Sequence, residues 1–327
     1  MEEKRKSKKL FIIISAAVIL LSVIIAIAFA LRKNNTSQAE TTLASDNETT
    51  NWAEALSDAG LSPVNTKSDS LSEGLCVDFL NVGQGDCAVI TCNSECMIID
   101  SGEKEYYQVI RNFLLNKGIS KIDVAMISHP HTDHFGSMSS LLEDFDVDTL
   151  VMPEIKSHED LNNKSYEDFI KSLKSNSIQP HYPDEGEKIY LGGAEIEILG
   201  PVEEDEEINN MSIVAMLRYG KSKFLFTGDA QKEEEIDIVE RGKDLTCDVL
   251  KVSHHGSSDS SDIAFIKASS ADTAVISVGE YNEYNHPNGV TLKNLLKEDI
   301  NIYRTDFDGT VSFYVESETS DIITRNV

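Results

Sequence analysis

Positive charge is scarce in this sequence: 29 lysines and arginines stand against 56 acidic residues, a formal net charge of −27. A surface so negative repels phosphate backbones at a distance, which excludes stable, non-specific nucleic-acid binding. A polyanionic substrate would have to be met by metal ions and visited briefly. Aromatic residues make up 7% of the chain, and its single tryptophan, Trp52, falls in a polar stretch. Cysteine is also sparse. The five present are an odd number, so they cannot form a complete disulfide framework, and no C-x-x-C spacing offers a thiolate metal site. Cys92 and Cys96 flank Asn93-Ser94-Glu95 and could face each other across a hairpin; the alternative is buried thiols acting as small hydrophobes.

The chain divides by composition. Residues 1–9 carry Lys4, Arg5, Lys6, Lys8 and Lys9. Residues 10–31 are an uncharged, predominantly apolar run of 22, enough to cross a bilayer that needs about 20. The preceding basic cluster predicts a single-pass signal anchor with a cytoplasmic N-terminus and everything after Arg32 outside. A cleaved leader is the rival, because Ala28-Phe29-Ala30 has a small-x-small form, although the apolar run exceeds the roughly 7–15 residues usual for a leader. Residues 32–73 are rich in Ser, Thr, Asn, Asp and Glu, too polar to offset the entropy of ordering, and read as a disordered tether. Residues 74–327 alternate strand and helix patterns. Strands are expected at 75–82, 87–92, 97–100, 122–127, 149–152, 194–199, 212–219, 223–227, 249–252, 273–278 and 311–315. Helices are expected at 106–116, 136–145, 165–175, 231–241, 261–268 and 290–297. Two hairpins echo each other, one running from Cys87 through Asp100-Ser101-Gly102 and one from Ser212 through Thr227-Gly228-Asp229. Two such halves packed sheet on sheet give an α/β, four-layered αββα sandwich, with the site where strand ends of both halves meet.

Three clusters carry the chemistry. Ser128-His129-Pro130-His131-Thr132-Asp133-His134 follows an apolar strand pattern, and its alternation sends His129 and His131 one way while Asp133 and His134 turn toward a second point. Imidazole and carboxylate at this density suit zinc, with manganese also possible. Thr227-Gly228-Asp229 places a carboxylate, able to join two cations, at the end of a hydrophobic strand. Ser253-His254-His255-Gly256-Ser257 ends another buried strand. The glycine after it permits close backbone approach, so His255 reads as the ligand and His254 as a supporting or substrate-facing ring. His158 and His181 lie among loop residues and receive no role. The acidic run 203–207 reads as a solvated loop.

Together these motifs resemble the metallo-β-lactamase superfamily, in particular the hydrolase domain of the ComEC competence DNA-uptake family and its stand-alone relatives. Phe79 to Asp86, Ile98 to Gly102, Asn209-Asn210-x-Ser212, Ser277-Val278-Gly279, Asn282-x-Tyr284-x-His286-Pro287 and Asp308-Gly309-Thr310 extend the likeness over nearly all of residues 74–317. The resemblance implies a hydrolase with two divalent ions. His129 and His131 would hold one ion, Asp133, His134 and His255 the other, and Asp229 would bridge them. Asp100 and Asp86 would orient ligands or water, and His286 would contact substrate or donate a proton. Many superfamily members have a further histidine where this chain has Asn209-Asn210; either amide, or water, would take its place. The expected activity is phosphodiester hydrolysis, with extracellular nucleic acid the first substrate. A phosphodiester of the cell envelope, such as phosphocholine on teichoic acid, comes second, a lactone or β-lactam third, and a non-catalytic surface binding module is the rival from another class. Protease added to intact, wall-stripped cells is expected to release a soluble, metal-containing fragment starting between Arg32 and Glu73. Protection until lysis would reverse the orientation, and a product starting at Leu31 in the medium would replace the anchor by a cleaved leader.

Overall fold

The computed structural model describes residues 73–155, 161 and 163–326. The basic tail, the apolar run, all but the last residue of the expected tether, and His158 lie outside the described residues. Among those described, no helix is long and apolar enough to cross a membrane.

Two seven-stranded sheets form the body. The first contains β1 (Leu75–Phe79), β2 (Ala88–Cys92), β3 (Glu95–Ile99), β4 (Lys121–Met126), β5 (Asp146–Val151), β13 (Val311–Val315) and β14 (Ile323–Asn326), in the order β14-β13-β1-β2-β3-β4-β5. The second contains β6 (Lys188–Leu191), β7 (Ala194–Gly200), β8 (Val214–Tyr219), β9 (Ser222–Phe226), β10 (Val249–Lys251), β11 (Thr273–Ile276) and β12 (Asn301–Arg304), in the order β12-β11-β10-β9-β8-β7-β6. Strand alternation sorts the side chains into layers. Leu75, Val77 and Phe79 of β1 and Phe224 and Phe226 of β9 join the core between the sheets, where the Phe79 and Phe226 rings lie 5.7 Å apart. Val89 and Ile98 face outward to a second core under α1 (Tyr107–Asn116), α3 (Met138–Asp144) and α4 (Lys164–Ser175). Val214, Met216 and Leu225 face a third, under α5 (Lys232–Glu240), α6 (Ile263–Ser269) and α7 (Gly289–Lys297). Helices cover both outer faces of the paired sheets.

The two hairpins anticipated from the sequence are β2–β3, with Ala88 opposite Ile99, and β8–β9, with Ala215 opposite Phe226. In each half the hairpin's second strand continues into parallel pairings: β3 with β4 and β4 with β5, then β9 with β10 and β10 with β11. Parallel neighbours need crossover connections, which the helices supply. All these strands therefore finish at the same edge as their partners, the edge where ligands gather in open α/β sheets. The expected helix at 136–145 is realised as α3, preceded by an unanticipated short helix, α2 (Thr132–Phe135), and a further short helix, α8, spans Thr305–Asp308. Cys92 pairs with Glu95 and Cys96 with Thr91, so the two thiols point to opposite faces of the sheet. They are free thiols, and the hairpin reading that would join them is set aside.

Burial pushes the Glu234 carboxyl of α5 up to about 8, against the Val202 N–H bond at 2.8 Å that lowers it. Exposed in the unfolded chain it titrates near 4.5, so folding takes up a proton between those values. The stability of the metal-free protein should be highest below pH 4.5 as far as this group is concerned. It should then fall by about 1.4 kcal/mol per pH unit until the folded pKa is passed. Glu234→Gln keeps a hydrogen-bond acceptor and should flatten that slope in denaturant titrations across the window; an unchanged slope would assign it elsewhere.

Candidate metal centre

Every residue of the three motifs lies just beyond the carboxyl end of a strand. Asp100 follows β3, the histidine cluster follows β4, Asp229 follows β9, and His254 and His255 follow β10. The chain can turn sharply there because its backbones touch. A Cβ on Gly85 would sit 2.2 Å from the Asp133 carbonyl oxygen, and one on Gly256, at φ +81°, would sit 2.6 Å from Pro287 Cβ. The close approach read from the His-His-Gly sequence is thus realised against Pro287. His254 and His255 themselves adopt left-handed φ values of 48° and 52°, a conformation that costs free energy and persists where the surroundings enforce it. Here His254 N–H donates to the Gly228 carbonyl, and Ser253 Oγ, just before the turn, donates to buried Glu235 at 2.9 Å.

The side chains converge on Asp229, which is 2% exposed. Its Oδ2 lies 3.3 Å from His134 Nε2, 3.5 Å from His255 Nε2, 3.7 Å from His254 Nε2 and 3.9 Å from His129 Nε2. Asp133 Oδ2 lies 3.4 Å from His255 Nε2 and 3.9 Å from His134 Nε2. Asp133, His134, Asp229 and His255 therefore offer ligand atoms all within 4.8 Å of one another. Beside them, His129 Nε2 and His131 Nδ1 face each other at 3.0 Å. His134 Nε2, His255 Nε2 and Asp229 Oδ1 are buried without a hydrogen-bond partner. Leaving such groups unmatched costs about 1–3 kcal/mol each, and nitrogen and carboxylate donors aimed at a common point are a divalent cation's ligands. The residues fit a candidate dinuclear site.

The surroundings orient these rings. Asp100, at φ 60°, accepts from Ser128 N at 2.7 Å and Ser128 Oγ at 2.8 Å, and pairs with His134 Nδ1 at 2.9 Å, so His134 Nε2 is turned inward. His255 Nδ1 lies 3.0 Å from the Ser277 carbonyl oxygen and 3.3 Å from Asp86 Oδ1. Burial disfavours charge on His134 and His255. The Asp229 carboxylate, helped by Asp100 for His134 and Asp86 for His255, nonetheless keeps both proton affinities well above the ordinary imidazole value. Burial and the neighbouring His134 hold His129 well below that value. Burial, then His254 and His255, push His286 down to about 4, so it is neutral at physiological pH.

A cavity of about 350 Å³ opens over the cluster, lined among others by Gln84, Asn163, Asn209, His254, Tyr284 and His286. Among the described residues, no lysine or arginine lines it. Of the two amides Asn209 and Asn210 singled out in the sequence, Asn209 faces this cavity, whereas Asn210 is occupied with Gln231 N and Asp205. His181 is exposed and paired with Glu187 at 2.6 Å, far from any role here. Sequence reasoning missed Gln84, Asn163 and Lys251. For Lys251 a signal was present: a lysine inside the apolar strand Val249-Leu250-Lys251-Val252.

With this geometry in view, residues 80–280 match the sequence profile of the Metallo-beta-lactamase superfamily. The chain belongs to that superfamily. It is 29% identical over 280 residues to ComE operon protein 3 of Bacillus subtilis (strain 168), covering 76% of this chain and 36% of that protein. It is 28% identical over 242 residues to Recombination protein 2 of Haemophilus influenzae, covering 72% and 28%, and 26% identical over 248 residues to Competence protein ComA of Neisseria gonorrhoeae, covering 72% and 32%. The chain thus spans about a third of the length of these relatives. The resemblance to the ComEC competence family is met by all three. Among solved structures, CmlA, a diiron beta-hydroxylase from Streptomyces venezuelae, superposes with a TM-score of 0.53 at 13% identity, covering 74% of this chain and 54% of that one; this is a likeness of fold. The chain is a metallo-β-lactamase-superfamily hydrolase related to competence proteins, with a candidate dinuclear metal site of histidines and aspartates.

Replacing Asp100 by Asn removes the carboxylate behind His134 and should lower metal affinity about 10–100-fold in chelator competition. His181→Ala should leave affinity unchanged. Equal effects would mean that the site has been misplaced.

Proposed function

We propose that this chain is a phosphodiesterase acting on nucleic acid outside the cytoplasmic membrane, to which residues 10–31 anchor it, and that it works through two divalent ions, zinc first and manganese second. The observation that carries the reading is the convergence of His134 Nε2, His255 Nε2 and the Asp133 and Asp229 carboxylates, all within 4.8 Å, beside the facing His129–His131 pair. His129 and His131 would hold one ion, Asp133, His134 and His255 the other, and Asp229 would contact both. Such a pair of cations lowers the pKa of water from 15.7 to about 7 and offsets the charge that develops on a phosphoryl group.

The protein's own groups do the rest. Asp100 holds His134, and the Ser277 carbonyl with Asp86 beside it holds His255, in the orientation that turns Nε2 toward the centre. His254 lies at the cavity wall with its Nε2 3.7 Å from Asp229. His286 meets it edge-on, with ring centroids 5.6 Å apart and planes at 75°, and has Gln84 Nε2 3.5 Å from its Nδ1. Being neutral, His286 suits a hydrogen bond to a phosphate oxygen better than the delivery of a proton. In the hydrolysis, the oxygen of water bonds to phosphorus, the opposite ester P–O bond breaks, and the departing oxygen ends with a proton. Asp133, whose carboxyl is held below its usual range by His134 and His255 in spite of its burial, remains ionised throughout.

The lining also bears on substrate. Among the described residues no basic side chain lines the cavity, and with a net charge of −27 the protein offers a duplex backbone little attraction there. Tyr284 stands at the rim 69% exposed, its ring 5.7 Å from that of His286 and tilted by 28°. A base of an unpaired strand can stack there, an interaction of about 1–3 kcal/mol.

The purified full chain should contain about two metal ions and hydrolyse thymidine 5′-(p-nitrophenyl) phosphate in preference to methyl p-nitrophenyl phosphate, which has the same leaving group and no base. Asp229→Ala and His134→Ala should abolish both activities. Tyr284→Ala should raise KM for the thymidine ester roughly tenfold without touching the methyl ester, on the scale of one stacking contact. Absence of bound metal after zinc or manganese supplementation, or no hydrolysis of either ester by metal-loaded protein, would sink the reading.

A further inference from the structure

Lys251, the last residue of β10, is 3% exposed, and among the described residues it is the one lysine or arginine that is fully buried. Lysine is almost never fully buried unless paired. Its Nζ lies 2.6 Å from Asp86 Oδ2 and 3.0 Å from the Val252 carbonyl oxygen. Asp86, itself 5% exposed, has its other oxygen 3.3 Å from His255 Nδ1, an electrostatic contact without hydrogen-bond geometry that leaves Oδ1 unpartnered. The three side chains form one line: ammonium, carboxylate, imidazole, and then His255 Nε2 facing Asp133 and Asp229.

The negative groups behind the centre need this charge. Asp86, Asp100 and His134 also offer ligand atoms within 4.8 Å of one another, and both carboxylates are nearly inaccessible to water. Carboxylates crowded in a low-dielectric volume repel each other and draw in a cation. The ammonium of Lys251 is a cation supplied by the chain itself, on the Asp86 side of that cluster.

We propose that Lys251 is a positioning residue of the metal centre: by anchoring Asp86 from behind, it fixes the ring of His255 with Nε2 turned toward Asp133 and Asp229. The proposal rests on the metal-centre reading above. It assigns Lys251 no contact with substrate, and the Ser277 carbonyl shares the hold on His255 Nδ1 at 3.0 Å.

The test is a double-mutant cycle on the full chain with Lys251→Met, Asp86→Asn and the two combined. Zinc affinity is read by chelator competition, the geometry of the site by the visible absorption of the cobalt(II)-substituted protein, and the fold by melting in excess chelator. Each single variant should lose zinc affinity about 10–100-fold, the range for residues that orient ligands, with a changed cobalt spectrum. Because both residues act through one line of contacts, the combined variant should lose no more than a single one. It should also melt closer to wild type than either single variant, since no unpaired charge is left in the core. Wild-type affinity in Lys251→Met, losses that multiply in the combined variant, or recovery of both melting and zinc affinity together would overturn the proposal. So would failure of all three variants to fold, which would make the pair a requirement of the core. If wild-type protein itself bound no metal, the fault would lie with the proposed function instead.

Discussion

Asp229 is a carboxylate taken almost wholly out of water and surrounded by imidazoles, with His134, His255, His254 and His129 nitrogens 3.3 to 3.9 Å from one of its oxygens. Burying it costs several kcal/mol unless opposite charge is supplied nearby. Much of the structure serves that requirement. The strands of both sheets stop where their ends can deliver nitrogen ligands, and glycines at 85 and 256 let the loops close over the site. Behind the candidate ligands, Asp100, held by Ser128, pairs with His134, the Ser277 carbonyl pairs with His255, and Lys251 pairs with Asp86. The left-handed turn at His254 and His255 is held by Glu235, through Ser253 on one side and the backbone of Ser261 and Asp262 on the other.

Much of this was legible in the sequence because it depends on local patterns. β13 was read with its observed bounds, and the strong apolar runs of β2, β8 and β9 were placed to within two residues. The three histidine and aspartate motifs converge as their spacing implied. The strands that went unread, β6, β12 and β14, are three of the four edge strands; the fourth, β5, was read only over its buried end. Tyr190 of β6 is 67% exposed and Ile323 of β14 is 50% exposed, and edge strands half open to solvent carry no clean alternation. The helix at 132–135 was hidden inside the metal motif, where the residues are chosen for ligation and not for helical periodicity. Asn209 and Asn210 could not be separated by spacing. Which of the two faces the cavity depends on the turn that Ile208–Met211 adopts.

The cavity explains how so acidic a protein can meet an anion. Among the described residues its lining contains imidazoles, amides, carboxylates and tyrosine but no lysine or arginine, so bound cations would be the source of local positive potential there. On the proposed reading, anion affinity would be conferred by the metal and withdrawn with it. Lys251 does not alter this balance for the substrate, because its charge is spent on Asp86 inside the core.

The division of ligands between the halves has a consequence for cohesion. His129, His131, Asp133 and His134 issue from the first sheet, whereas Asp229 and His255 issue from the second. Any ion shared by these groups is a clasp between the sheets, and no such clasp exists in the unfolded chain. By linkage, each tenfold rise in free metal above the dissociation constant adds about 1.4 kcal/mol to the closed form. With metal bound as proposed, the two halves would be held together partly by what the surrounding fluid contains, and metal-poor surroundings would loosen the sandwich at the seam where the cavity opens.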